Sequence, residues 1–130
     1  MVLQRTVVLV AAWLEIAVGV CLLAVPELPC VLLFAAKPEG IDMPLARFAG
    51  VALFALGIAC LPTTGAGSHR RAVLGLFAFN LGVAILLAWV AVATPMRGLL
   101  LWPAVILHAA IAAALLPQLL TRGSLASQHA

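Results

Sequence analysis

The sequence contains very little charge. Of its 130 residues, four are acidic and seven are lysine or arginine, so that only 8% are charged, and there is no tyrosine. Soluble domains are on average about a quarter charged. A chain with so few charges cannot form a water-compatible surface, and its 66% hydrophobic content predicts an integral membrane protein. We expect one membrane-embedded domain, residues 1–130, with no separate soluble domain.

Several motifs that carry known chemistry are also missing. The sequence has no nucleotide-binding loop, no Gly-x-Ser-x-Gly and no His-Glu-x-x-His, so hydrolase, kinase and metalloprotease functions have no support. Its three cysteines, Cys21, Cys30 and Cys60, form no Cys-x-x-Cys pair and are interpreted as small packing residues. We therefore predict neither a metal site nor a cofactor. Because the basic residues form no cluster, nucleic acid is not an expected partner.

Four hydrophobic runs are each close to the ~20 residues that a helix needs to cross the hydrocarbon core of a bilayer. Proline lies at or just beyond a boundary of each run, as is typical of helix ends. The predicted fold class is therefore all-α, a four-helix transmembrane bundle with helices over about residues 6–25, 44–61, 72–93 and 98–116. The first run is longer than the ~7–15 apolar residues of a signal peptide, which favours an uncleaved helix.

The connection between the first two predicted helices is the longest one. Residues 30–36 within it are apolar but too few to span a bilayer. We expect this segment to lie in the membrane interface or to cover the outer mouth of the bundle.

The basic residues favour one orientation. Four lie toward the face that holds both termini, against two or three toward the opposite face: Arg5, Arg70, Arg71 and Arg122 against Lys37, Arg97 and Arg47. Since positive charge marks the cytoplasmic side, both termini are predicted to be inside. This orientation places Trp89 and Trp102 toward the outer interface, where indole rings prefer to lie.

Each predicted helix carries one strongly polar residue: Glu15, Arg47, Asn80 and His108. An ionisable group inside a bilayer is expensive and by default indicates a functional site. Small residues flank Glu15 and His108 at helical spacing, so these faces should point toward other helices. We predict that the four side chains form an inward-facing polar pocket, with Trp102 as a further ligand-binding candidate.

Each polar residue also has a purely structural interpretation. Glu15 could be a protonated side chain that joins helices, and Arg47 could extend to the interface. Asn80 is a common interhelical hydrogen-bonding residue, and a single histidine such as His108 is more often structural than a ligand. The combination of Glu15 and His108 is the more specific signal, because a carboxyl and an imidazole can pass a proton, hold a polar ligand group or act as acid and base.

Four short segments resemble a group of small bacterial four-helix membrane proteins that are distantly similar to DoxX-type domains. The matching segments are Leu14-Glu15-x-x-x-Gly19-x-x-Leu22-Leu23, Ala46-Arg47-x-x-Gly50-x-x-Leu53, Asn80, and Leu101-Trp102-Pro103-Ala104-x-x-x-His108. The resemblance implies the four-helix topology and a location in a bacterial inner membrane, and it carries over no activity.

Three functions remain open at this stage. A binding or conducting module would hold a small amphipathic or lipophilic ligand, or pass protons, and should have a cavity that reaches Glu15. A membrane enzyme of the isomerase or cyclase type would use Glu15 and His108 as acid and base on a lipophilic substrate. An accessory subunit would instead direct its polar residues toward a neighbouring protein.

Besides membrane lipids, we expect either further copies of the chain or a partner membrane protein, because so small a bundle exposes nearly every helix.

Overall fold

The computed structural model describes residues 2–61 and 66–120, and these residues form five helices. In chain order the helices are α1 (Val2–Ala24), α2 (Glu27–Phe34), α3 (Asp42–Cys60), α4 (Ala66–Ala93) and α5 (Leu101–Leu120). All except α2 are long and apolar enough to cross a membrane. The prediction of an all-α protein with four long apolar helices is confirmed, and by helix length and hydropathy this is a multi-pass membrane protein.

The short helix α2 is the main departure from the predicted four-helix bundle. It lies in the long connection and includes most of the apolar segment that sequence analysis left without a secondary structure. The helix ends because Ala35 adopts a left-handed conformation, with φ of 55°, and its backbone N–H donates to the carbonyl oxygen of Val31.

Several predicted helix boundaries also differ from the structure, including the start of α1 at Val2 in place of residue 6. The helix α4 begins at Ala66, before the predicted residue 72. The helix α5 begins at Leu101, later than predicted, because the backbone N–H groups of Gly98 and Leu100 donate to α2 carbonyl oxygens. It also continues to Leu120 with Pro117 inside it, since one missing backbone hydrogen bond does not end the helix here.

The helices pack as two antiparallel pairs, α1 with α3 and α4 with α5. Three glycines, Gly19, Gly50 and Gly57, bring the backbones of α1 and α3 together, and we call them the glycine seam. A Cβ atom added to Gly19 would lie 2.6 Å from the backbone nitrogen of Phe54, and one added to Gly57 would lie 2.7 Å from the carbonyl oxygen of Ala12. Because these distances are shorter than van der Waals contact, larger residues would force the two helices apart.

The two pairs are joined at one end of the bundle by a hydrophobic cluster from all four long helices: Val8, Ala11, Ala12, Cys60, Val73, Leu76 and Leu115. At this end the thiol of Cys60 also donates to the carbonyl oxygen of Ala72 over 3.8 Å. A second cluster at the opposite end contains Leu87, Ala91 and Leu101, with Phe34 of α2 packed against it. Since α1 and α3 contribute only to the first cluster, the two pairs separate toward the second end.

Candidate functional site

A cavity of about 820 Å³ occupies the space where the two helix pairs separate. All five helices contribute to its lining, which is almost entirely aliphatic or aromatic. Within residues 2–61 and 66–120, Glu15 and His108 are the only strongly polar side chains that line it. The structure therefore brings these two predicted site residues, from the first and the last helix, to one apolar chamber.

Glu15 lies where the cavity meets the first hydrophobic cluster. Its position on α1 is one helical turn beyond Ala11 and Ala12, which belong to that cluster, and on the same face. The side chain is only 3% exposed. Among the described residues it has no hydrogen-bond partner, so its carboxyl group remains available to a molecule in the cavity.

Asn80 and His108 form a short hydrogen-bonded chain between α4 and α5. The amide nitrogen Nδ2 of Asn80 donates to the carbonyl oxygen of Leu76 over 2.8 Å, and Oδ1 of Asn80 lies 2.7 Å from Nδ1 of His108. Because an amide nitrogen and not an oxygen must face the Leu76 carbonyl, Oδ1 is the acceptor and His108 Nδ1 the donor. The ring of Phe79 meets His108 edge to face, with ring centroids 6.1 Å apart.

This hydrogen bond determines which ring nitrogen of His108 can meet a ligand. Asn80 is completely buried and does not line the cavity, so it acts by orienting the imidazole. A neutral imidazole with its proton on Nδ1 presents an unprotonated, accepting Nε2. Among the described residues, Nε2 has no hydrogen-bond partner.

The other two predicted site residues lie away from the cavity. Arg47 is exposed on α3, although its neighbour Ala46 lines the cavity, because successive helical residues point in directions about 100° apart. Trp102 is half exposed near the start of α5, whereas the following Pro103 lines the cavity. The structure thus brings together Glu15 and His108, with Asn80 behind the imidazole, and leaves Arg47 and Trp102 outside.

The short helix α2 contributes lining residues that sequence analysis did not identify individually. Leu28, Cys30, Leu33 and Phe34 all border the cavity. The sequence feature that points to this lining role is the apolar segment of residues 30–36, which we predict to lie in the interface or to cover the outer mouth of the bundle. Two backbone hydrogen bonds, from the N–H groups of Gly98 and Leu100, hold α2 against the start of α5.

The helices α3 and α5 do not contact each other within the described residues, and residues of both helices line the cavity. Exposed side chains on both helices border it, Ala49 and Ala52 on α3 and Leu107 on α5. These residues lie well inside the two candidate membrane spans. The gap is therefore at the depth of the hydrocarbon core.

Cys30 offers a direct chemical test of the α2 environment. Partial burial, and then the negative charge of Asp42, raise the pKa of the Cys30 thiol above its ordinary value. Because the thiolate is the reactive form, we expect slower maleimide labelling of Cys30 at neutral pH than of an unperturbed thiol, with the rate rising as pH increases. The measurement is the labelling rate against pH in a variant with Cys21 and Cys60 replaced by alanine.

The variant Asp42→Asn removes the charge and leaves the burial, so it should accelerate the labelling of Cys30 at neutral pH. An unchanged rate would show that Asp42 does not act on the thiol.

The described residues contain no group of three or more His, Cys, Asp or Glu side chains that could hold a metal ion. The polar groups that line the cavity are one carboxyl and one imidazole, with the weakly hydrogen-bonding thiols of Cys21 and Cys30, in an otherwise apolar enclosure. Such a site can form hydrogen bonds with a polar group or exchange a proton with it.

Comparisons with known proteins do not extend this description. No protein-family model matches the sequence, and comparisons with curated proteins and with solved structures return no match. The resemblance to DoxX-type domains accordingly gives no family assignment. What the sequence and the structure together establish is a small multi-pass helical membrane protein with a chamber between two helix pairs.

Proposed function

We propose that this protein binds a small lipid-soluble molecule with one polar head group. In this proposal the apolar body of the molecule fills the cavity, and its head group contacts Glu15 and His108. The volume of about 820 Å³ lies within the usual range of small-molecule sites, roughly 300–1,000 Å³. An apolar lining with a few convergent polar groups is also typical of such sites.

The observation that carries the proposal is the state of Glu15. A buried polar group without a hydrogen bond destabilises a fold by about 1–3 kcal/mol. Glu15 is 3% exposed, lines the cavity and has no hydrogen-bond partner among the described residues. A ligand that forms a hydrogen bond with Glu15 would offset this cost. Ligand binding therefore explains the buried carboxyl, whereas helix packing alone does not.

The gap between α3 and α5 supports entry from the bilayer. Because it lies within the candidate spans, a molecule dissolved in the membrane can reach Glu15 without crossing α2. Water-soluble ligands would have to pass the apolar side of α2. We therefore propose that lipids or lipid-soluble metabolites are the source of ligands.

The proposal also includes the membrane in which the protein lies and the orientation of its termini. The distribution of basic residues favours an orientation with both termini inside. Of the residues behind this assignment, Arg122 lies outside the described residues. The resemblance to small bacterial four-helix membrane proteins favours a bacterial inner membrane. The exposed apolar faces of the four long helices favour further copies of the chain or a partner membrane protein as neighbours.

Photolabelling in lipid nanodiscs tests the proposal. A dodecyl chain that carries a diazirine at its tail and a hydroxyl head is expected to form adducts with cavity-lining residues such as Leu53 and Leu107. Excess dodecanol should compete with this labelling. Adducts confined to outward side chains such as Val51 and Ile106, without competition, would contradict the proposal.

Two alanines of α3 provide a matched pair of variants. Ala49 lines the cavity, whereas Ala55 is also exposed on the same helix and does not line it. The variant Ala49→Phe should reduce labelling of the cavity by at least about tenfold, since an aromatic ring at this position would occupy space that the ligand needs. The variant Ala55→Phe should leave labelling unchanged.

Acid–base catalysis is the second candidate, because Glu15 and His108 line the same cavity. An isomerase or cyclase would leave the composition of its substrate unchanged but alter its connectivity. Incubation of a membrane lipid extract with wild type and with Glu15→Gln, followed by chromatography, would show a product that only the wild type forms. A proton path has less support, since the first hydrophobic cluster beyond Glu15 is apolar.

A further inference from the structure

The hydrogen-bonding capacity of the cavity is unevenly divided between donors and acceptors. His108 donates through Nδ1 to Asn80, which leaves Nε2 as an acceptor. The carboxyl of Glu15 offers an acceptor oxygen whether it is ionised or protonated. Apart from a protonated Glu15, the donors in the lining are the thiols of Cys21 and Cys30, and a thiol is a weak donor.

The part of the cavity lining that the structure describes also holds no permanent positive charge to receive an anion. It includes no lysine or arginine, and Arg47 is exposed on another face of α3. An anionic head group placed beside Glu15 would meet either a like charge or a neutral acid in a low-dielectric chamber. Both situations disfavour binding, because a buried charge needs a partner of opposite sign.

From this imbalance we infer that the ligand has an uncharged or cationic head group that donates hydrogen bonds, an alcohol or an amine, and that fatty acids and other anions are rejected. The inference rests on the proposed function and specifies its ligand class. An ammonium group has enough N–H donors for both Glu15 and Nε2 of His108, whereas a hydroxyl donates its single proton to one of them and can accept a hydrogen bond from a protonated Glu15. Head groups that only accept hydrogen bonds leave Nε2 unsatisfied and bind more weakly.

Photoprobes that share one tail and differ in the head group test this inference. The tail is a dodecyl chain with a terminal diazirine, and the heads are hydroxyl, ammonium, methyl ether and carboxylate. We expect the hydroxyl and ammonium probes to label the cavity lining at least about tenfold more efficiently than the ether and the carboxylate. The order of the two donor-bearing probes then distinguishes a neutral head group from a cationic one.

Two variants assign the selectivity to the proposed groups. In His108→Phe an aromatic ring remains but the acceptor nitrogen is removed, so the ratio of hydroxyl to ether labelling should fall several-fold. In Glu15→Leu the ammonium probe should lose its advantage over the ether. Because each readout is a ratio measured on one protein sample, a change in the folded fraction does not alter it.

The possible failures are distinguishable. Equal labelling of the cavity by all four probes, or a preference for the carboxylate, would overturn the head-group inference while leaving the proposed binding function intact. Absence of labelling in the cavity by every probe would overturn the binding function itself.

Discussion

Replacement of Gly57 by leucine is expected to lower the free energy of unfolding by about 3 kcal/mol, near the upper end of overpacking effects. A Cβ atom at this position would lie 2.6 Å from Cγ1 of Ile16 and 2.7 Å from the carbonyl oxygen of Ala12. The backbone of α1 cannot retreat without breaking its contacts along the whole glycine seam. Unfolding with a denaturing detergent in mixed micelles measures this change.

Gly82 provides the matched control for Gly57. It lies inside α4, and nothing is within 4 Å of a Cβ atom added there. Leucine is also a better helix former than glycine, by roughly 0.5–1 kcal/mol. The variant Gly82→Leu should therefore be as stable as wild type or slightly more stable. If both variants lost the same stability, the glycine seam would have no special role in packing.

Glu15→Leu and Asn80→Leu are expected to change stability in opposite directions, although both replace a buried polar residue with leucine. Loss of Asn80 removes two hydrogen bonds and leaves the Nδ1 proton of His108 unpaired, so stability should fall by about 1–3 kcal/mol. Glu15 has no hydrogen bond to lose among the described residues, and an apolar side chain suits its surroundings. Stability should rise by about 1–3 kcal/mol.

The same detergent unfolding assay, performed without added ligand, gives both values. Glu15→Gln keeps the size of the side chain and, like a protonated carboxyl, has one accepting oxygen and one donor group, so it should remain close to wild type. A loss of stability in Glu15→Leu as large as that in Asn80→Leu would identify Glu15 as a structural residue. The proposed site would then lose its central group.

The long helices could be predicted because hydrophobic run length follows directly from the thickness of the bilayer. The importance of Glu15 could be predicted because a carboxyl inside such a run needs an explanation. The rotation of each helix about its own axis, which decides which side chains face the cavity, is harder to predict from the sequence. Mean hydropathy does not distinguish a side facing the cavity from a side facing lipid, since both are apolar, and for this reason Arg47 was assigned to the polar pocket.

The hydrogen bond between Asn80 and His108 could not be predicted from the sequence. Both residues were placed near the middle of the membrane, but contact also requires the correct axial register and rotation of α4 against α5. These depend on the packing of side chains such as Leu87 and Leu101. The helix α2 was missed because its eight residues are too few for a clear periodic pattern.

The pairing of the long helices has a consequence for biogenesis. Each pair consists of spans that are consecutive in the chain, α1 with α3 and α4 with α5. During synthesis the first hairpin can therefore insert and close along Gly19 and Gly57 before the second hairpin leaves the ribosome. Because contacts between consecutive spans form fastest, the junction between the hairpins assembles last. The cavity lies at that junction, so it forms only after both hairpins have folded.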